Sequence, residues 1–217
     1  MRILAINGSP RKKWNTATLL DHALEGARQG GADTRLVHLY DLDYKGCISC
    51  FECKKIGGKS YGRCAVTDGL TPILEEAGRA DALILGTPVY FGAESGEMRS
   101  FVERLVFPYL TYTPGYASLF TRAMPTALIY TMNVPEPALE DLGYTVSMER
   151  LRSFMARTFG SCELLASTDT YQFTDYSKYL STVWDEAAKR TRREEVFPQD
   201  CARAFDLGRR LAGGSPA

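Results

Sequence analysis

The chain has 217 residues, 45% of them hydrophobic and 24% charged, which suits a globular protein with a sizeable core. Its 26 lysines and arginines balance 26 aspartates and glutamates, so no net positive field exists to hold a polyanion, and neither nucleic acid nor a membrane surface is an expected partner. No apolar run reaches the roughly 18 residues that cross a bilayer, and the opening residues carry no signal pattern; a cytosolic location is expected, where six cysteines serve redox or metal chemistry or sit inert rather than forming a disulfide framework.

In chain order, residues 2–6 form a short β-rich apolar run closed by Asn7-Gly8-Ser9-Pro10, and apolar residues at helical spacing follow over 16–29. A second strand is expected at 34–39, then a cysteine-rich loop at about 44–66 and a helix over 69–79. The unbroken apolar run at 82–86 suits a strand covered on both faces. Beyond it the pattern predicts a helix at 95–106, strands at 124–130 and 163–167, and helices at 144–159 and 199–212. Strands alternating with helices imply a doubly wound, five-stranded parallel sheet of order 2-1-3-4-5 built as one unit over 1–217. In such a sheet ligands sit beyond the carboxyl ends of the strands, where the order reverses. Two stretches exceed a minimal version: 107–121, with five aromatics, and the polar segment 168–197.

The loop after the first strand reads Asn7-Gly8-Ser9-Pro10-Arg11-Lys12-Lys13-Trp14-Asn15-Thr16-Ala17. Gly8 permits a tight exit, Ser9 and Thr16 offer hydroxyls, Arg11 brings a charged fork, and Asn15 is placed to cap the helix, whose free N–H groups then face the loop. That combination suits a terminal phosphate; its bland counterpart is a plain turn and cap. Neither Gly-x-x-x-x-Gly-Lys-Ser/Thr nor Gly-x-Gly-x-x-Gly occurs here, which removes support for an ATPase or a dinucleotide domain. After the third strand, Thr87-Pro88-Val89-Tyr90-Phe91-Gly92 puts two aromatics at the strand's end, as core packing or as the lining for a flat ring. A planar, phosphorylated ligand accounts for both loops together.

The pair Gly8-Ser9-Pro10-Arg11…Asn15-Thr16 and Thr87-Pro88-Val89-Tyr90-Phe91-Gly92 resembles the NAD(P)H-dependent FMN reductase and iron–sulfur flavoprotein group of the flavodoxin superfamily, over roughly residues 1–108. The resemblance implies a flavodoxin-like fold and FMN held by Ser9, Arg11, Asn15, Thr16 and Ala17 at its phosphate and by Pro88, Val89, Tyr90, Phe91 and Gly92 at its ring. It also implies that Thr131-Met132-Asn133 edges the ring and that NAD(P)H supplies electrons to a small acceptor such as a quinone or flavin, or to a redox protein. In a flavin enzyme the flavin N5 carries the chemistry and no side-chain acid or nucleophile is required. His22 and His38 form no catalytic arrangement legible in the sequence.

Cys47, Cys50 and Cys53 recur at intervals of three, and Cys64 follows from a glycine-rich stretch. On a helix the first three would share one face, and four thiolates suit a [4Fe–4S] cluster or zinc. The compact run is the pattern of iron–sulfur flavoproteins, but ten residues separate Cys53 from Cys64 where that family's fourth cysteine typically follows within four to seven. A cluster, free thiols, zinc and a regulatory disulfide therefore all stay open. So do two rivals to the reductase: an iron–sulfur flavoprotein electron carrier fed by a ferredoxin-like donor, and a thiol redox sensor. Cys162 and Cys201 read as inert small hydrophobes. Phe107, Tyr109, Tyr112, Tyr116 and Phe120 need cover, from the chain's own core or from a second copy; the resemblance implies a homodimer or homotetramer. The charged run 189–195 is a solvated face or, alternatively, a contact for an NADPH phosphate.

Overall fold

A computed structural model describes residues 1–213. Five parallel strands, β1 (Arg2–Asn7), β2 (Asp33–His38), β3 (Ala82–Tyr90), β5 (Met124–Thr131) and β6 (Gly160–Ser167), lie in the order β2-β1-β3-β5-β6. The two-residue β4 (Ala93–Glu94) only folds back on the end of β3, so the expected order 2-1-3-4-5 is the order found once this short strand takes a number. The main helices are α1 (Asn15–Gln29), α2 (Thr71–Arg79), α3 (Gly96–Val106), α4 (Tyr144–Phe159) and α6 (Phe197–Leu211). The polar segment holds the short α5 (Glu186–Thr191) and a π-helical turn at Arg192–Val196, neither of which the apolar periodicity signals.

Alternation along β1 divides the core. Leu4 and Ile6 face α2, α3 and α4, where Ala77, Phe101, Leu105, Met155 and Phe159 are buried; Ile3 and Ala5 face α1 and α6, with Leu20, Leu24, Ala204 and Leu207. Both faces of β3 are covered, which is why its sequence is a continuous apolar run. Covered faces leave the carboxyl ends of the strands as the place where polar loops gather. No helix among the described residues is long and apolar enough to cross a membrane.

The aromatic connection resolves into two parts. Tyr109 and Phe120 pack edge to face with each other and with Phe159, at ring separations of 4.9–5.8 Å, so the chain's own core covers them. Phe107 lies under the ammonium of Lys54, 4.3 Å from the ring centroid. Tyr112 and Tyr116, at the tip of the excursion, stay exposed.

Candidate functional site

β1 and β3 are neighbours, with Asn7 paired to Gly86, so the loops that leave their carboxyl ends emerge side by side. The first loop is held from below. Asn7 Oδ1 accepts the Ser9 N–H at 2.9 Å while its amide nitrogen meets His38 Nδ1 at 2.9 Å, and Ser9 Oγ accepts the Arg11 N–H at 3.1 Å. Trp14, not Asn15, occupies the N-cap of α1 and supplies no capping side chain; Asn15 is the first helical residue. The N–H groups of Asn15, Thr16 and Ala17 have no acceptor among the described residues, and those of Lys12 and Lys13 have none either. Such a cluster of free donors at the positive end of a 15-residue helix is a ready anion site.

The side chains of this loop are used differently from the sequence expectation. Thr16 Oγ1 bonds Thr131 Oγ1 at 2.7 Å beneath the loop. The Asn15 amide donates to the Tyr171 carbonyl at 3.0 Å and accepts from Arg193 at 2.7 Å. Arg11 is exposed, with one guanidinium nitrogen 2.6 Å from the Gln172 carbonyl, and Trp14 Nε1 donates to the Tyr171 carbonyl. Residues 171–172 therefore strap the loop. Lys189, almost fully buried, fastens the same segment to the loop after β5: it bonds the Asn133 side chain and carbonyl and the Asp169 carboxylate, and lies over the Trp184 ring. Arg190, Arg192 and Arg193 are engaged with Glu186, Asp200 and Asn15, so the basic run is paired within the chain, Arg190 at the surface and Arg192 largely buried.

The second loop is a β-hairpin. Phe91 and Gly92 occupy its two turn positions at φ +51° and +80°, the left-handed pair that a type I′ turn demands. Glycine adopts this freely, but phenylalanine does so only under strain. The Phe91 ring is fully exposed at 105% and Tyr90 is 44% exposed, while Pro88 and Val89 are half-buried. The base of the hairpin is rigid. Tyr130 donates to the buried Glu94 carboxylate at 2.7 Å, and burial followed by that carboxylate's charge raises the Tyr130 pKa, keeping the phenol protonated. Ser95 caps α3 by accepting the Met98 N–H and donates to the Gly8 carbonyl at 2.6 Å, joining the two loops. Tyr40 adds a third aromatic at this edge: burial first, then Tyr90 and Glu97, raises its pKa.

Sequence reasoning gave no site role to Asn7, His38, Glu94, Ser95 and Tyr40, and took Lys189 only as part of the charged run 189–195. Ser95 three residues before Met98 at a helix start was a legible cap signal. The others act through partners on distant elements, which no local spacing encodes.

The cysteine loop is not helical at Cys47–Cys50, and Cys53 lies in a single 3₁₀ turn, Glu52–Lys54. Ser49 and Phe51, flanking Cys50, both take left-handed backbone conformations, φ +54° and +56°. A chain that alternates left-handed residues in this way curls its N–H groups into a concavity, a form used around phosphates and iron–sulfur clusters. Cys47, Cys50, Cys53 and Cys64 line one small cavity with Phe51, Arg104 and Phe107. Among the described residues no three His, Cys, Asp or Glu side chains stand close enough to grip a single metal ion. Burial pushes the Cys53 thiol above its ordinary value; Lys54 opposes this and the neighbouring Cys47 and Cys50 add to it. Burial also raises Cys162 and Cys201. In iron-free protein a short iodoacetamide pulse is accordingly expected to label the exposed Cys47 and Cys50 well before Cys162 and Cys201, read by peptide mass spectrometry. Equal labelling would contradict the burial described.

Residues 1–132 match the model of a family described as NADPH-dependent FMN reductase. An iron–sulfur flavoprotein of Methanocaldococcus jannaschii is 36% identical over 104 residues, 48% of this chain and 51% of that protein. One from Archaeoglobus fulgidus is 38% identical over 104 residues, 48% of each. The chain thus spans about half the length of the curated relatives it matches. Solved structures of similar fold include an NAD(P)H:quinone oxidoreductase from Methanothermobacter marburgensis (TM-score 0.70, 18% identity, 97% of this chain and 96% of that one). Another is an FMN-dependent NADH-azoreductase from Bacillus anthracis in complex with FMN (TM-score 0.67, 14% identity, 98% and 100%).

Proposed function

Because this chain belongs to the NADPH-dependent FMN reductase family, we propose that it binds FMN across the ends of β1 and β3 and works as an oxidoreductase passing electrons from NADH or NADPH to a small acceptor such as a quinone or a flavin. The observation that carries this reading is the set of free N–H groups of Asn15, Thr16 and Ala17 beside the aromatic hairpin Tyr90–Gly92, on adjacent strands tied together by Ser95. FMN, when bound, supplies a ring that accepts a hydride from a reduced nicotinamide and hands electrons onward.

The chain's own task is to bind and orient. Main-chain N–H groups of 15–17, with Ser9 and Arg11, hold the phosphate; Ala17 contributes only its backbone. Pro88, Val89, Tyr90, Phe91 and Gly92 wall the ring, the fixed hairpin base keeping Tyr90 and Phe91 in place. Thr131, Met132 and Asn133 edge it, with Asn133 oriented by Lys189 and Gln172. The exposed Phe91, Tyr112 and Tyr116 are surfaces that a second copy of the chain would cover, which supports a homo-oligomer.

A [4Fe–4S] cluster on Cys47, Cys50, Cys53 and Cys64 is the second part of the reading, supported by the presence of all four cysteines in the wall of one cavity and by the left-handed turns around Cys50. A cubane spreads its four thiolates over its corners, whereas zinc draws its ligands to about 2.3 Å from one centre, and four cysteines around one cavity are the donor set that a cubane takes. Such a cluster supplies a one-electron relay. A thiol switch centred on Cys53 fits less well, because a buried thiol raised above its ordinary pKa is a poor nucleophile.

The deciding measurement is the visible spectrum of purified protein reconstituted with FMN, taken without oxygen before and after NADH or NADPH. Flavin bands that bleach on addition of the nicotinamide are expected; a colourless protein that takes up no FMN overturns the reading. Removal of the exposed guanidinium in Arg11→Ala is expected to weaken FMN binding by about 1–3 kcal/mol, roughly 5- to 150-fold, by loss of a charge-assisted contact. Fluorescence titration with FMN gives the number, and unchanged affinity would place the phosphate away from Arg11.

A further inference from the structure

Arg104, in the last turn of α3, is the largest fully buried side chain among the described residues, its side chain 0% exposed, and it faces the cysteine loop. Its Nε–H donates to Cys64 Sγ at 3.3 Å. One terminal nitrogen donates to the Lys45 carbonyl at 3.0 Å and to Asp68 Oδ2 at 2.5 Å, and the other donates to the Val66 carbonyl at 3.0 Å. A single guanidinium thus fastens the chain two residues before Cys47 and two residues after Cys64, and touches the fourth sulfur itself. No other cysteine of the set receives a side-chain N–H among the described residues.

We propose that Arg104 is a positioning residue that sets the reduction potential of the iron–sulfur cluster through Cys64, with Asp68 as the counterweight to its charge; this rests on the cluster reading above. Reduction of the cluster by one electron adds negative charge that its sulfurs share. A buried cation and an N–H···S bond favour the reduced form, and hydrogen bonding to the sulfurs and local net charge are the levers that tune such centres. Asp68 sits on the same guanidinium and offsets part of its field. The two residues therefore act with opposite sign: loss of the cation lowers the potential, and loss of the anion raises it.

A scaffold-only role gives no such opposition, since either substitution would then merely loosen the loop. The experiment reconstitutes the whole 217-residue chain with iron and sulfide under anaerobic conditions, counts iron per chain, and follows the cluster and the FMN separately in a potentiometric titration. Arg104→Gln is expected to shift the cluster to a more negative potential, Arg104→Lys to shift it less, and Asp68→Asn to shift it to a more positive one, with the FMN couple unmoved. Asp68→Asn keeps the Leu70 N–H acceptor at Oδ1 and so carries the sign test if Arg104→Gln does not fold. Full iron with unshifted potentials, or shifts of the same sign in Arg104→Gln and Asp68→Asn, overturns the role of Arg104 alone. A wild-type protein that takes up no iron overturns the cluster reading and this inference with it.

Discussion

Replacement of Cys53 by serine is expected to abolish iron retention while leaving FMN uptake intact. Cys53 is the buried member of its run and lines the same cavity as Cys47, Cys50 and Cys64. A serine hydroxyl is a hard, protonated oxygen where iron requires a thiolate, and a cluster left with three ligands in a partly exposed loop is open to solvent and oxygen. The main-chain N–H groups of 15–17 stand on α1, on the other face of the sheet from the helix that packs against the cysteine loop, so the loss should not reach them. Iron and flavin assayed on one sample give the answer: full iron in Cys53→Ser removes that residue from the ligand set, and loss of both groups together points to a general unfolding.

The second large effect concerns the contact that seats α1. Helices α1 and α6 touch backbone to backbone at Gly26 and Gly208. A Cβ built on Gly208 would fall 1.7 Å from the Ala23 carbonyl oxygen, and one on Gly26 would fall 1.9 Å from the Phe205 carbonyl oxygen. A peptide carbonyl inside a helix cannot rotate aside, so a side chain there must push the helices apart. Gly208→Val should cost about 3 kcal/mol or more through overpacking, well above the fraction of a kcal/mol returned by helix propensity, and lower Tm by roughly 6–12 °C at 2–4 °C per kcal/mol. Because α1 carries the free N–H groups at its amino end, FMN affinity should fall as well. Gly96→Ala, where a Cβ meets nothing within 4 Å, serves as the control and should change stability by no more than about 0.5 kcal/mol. A Gly208→Val protein with the wild-type Tm would contradict the close helix contact.

Much of the fold was legible because apolar periodicity records burial directly. The expected helix at 144–159 coincides with α4, and the run at 82–86 marks β3, whose buried part ends near Thr87 where the strand leaves the helices. The 168–197 segment was opaque for the converse reason: α5 and the π-helical turn are held by Lys189, Arg192 and Arg193 reaching partners on other elements, not by an apolar face. The candidate site was legible in its glycines, its hydroxyls and its aromatics, since these are properties of short loops. The engagement of the Asn15 and Thr16 side chains away from the loop was not, since Tyr171, Arg193 and Thr131 lie more than a hundred residues downstream.

By itself the sequence determined the alternation that forces a parallel sheet, and the two loops and four thiols from which a redox site can be built, because each depends on residues close together along the chain. Only the tertiary structure decided that Trp14 heads α1, that the strap engages Asn15, and that Arg104, forty residues from Cys64, meets its sulfur. Buried charges and hydrogen bonds take whichever partner packing brings within about 3 Å, and packing is a property of the whole chain, not of any window along it.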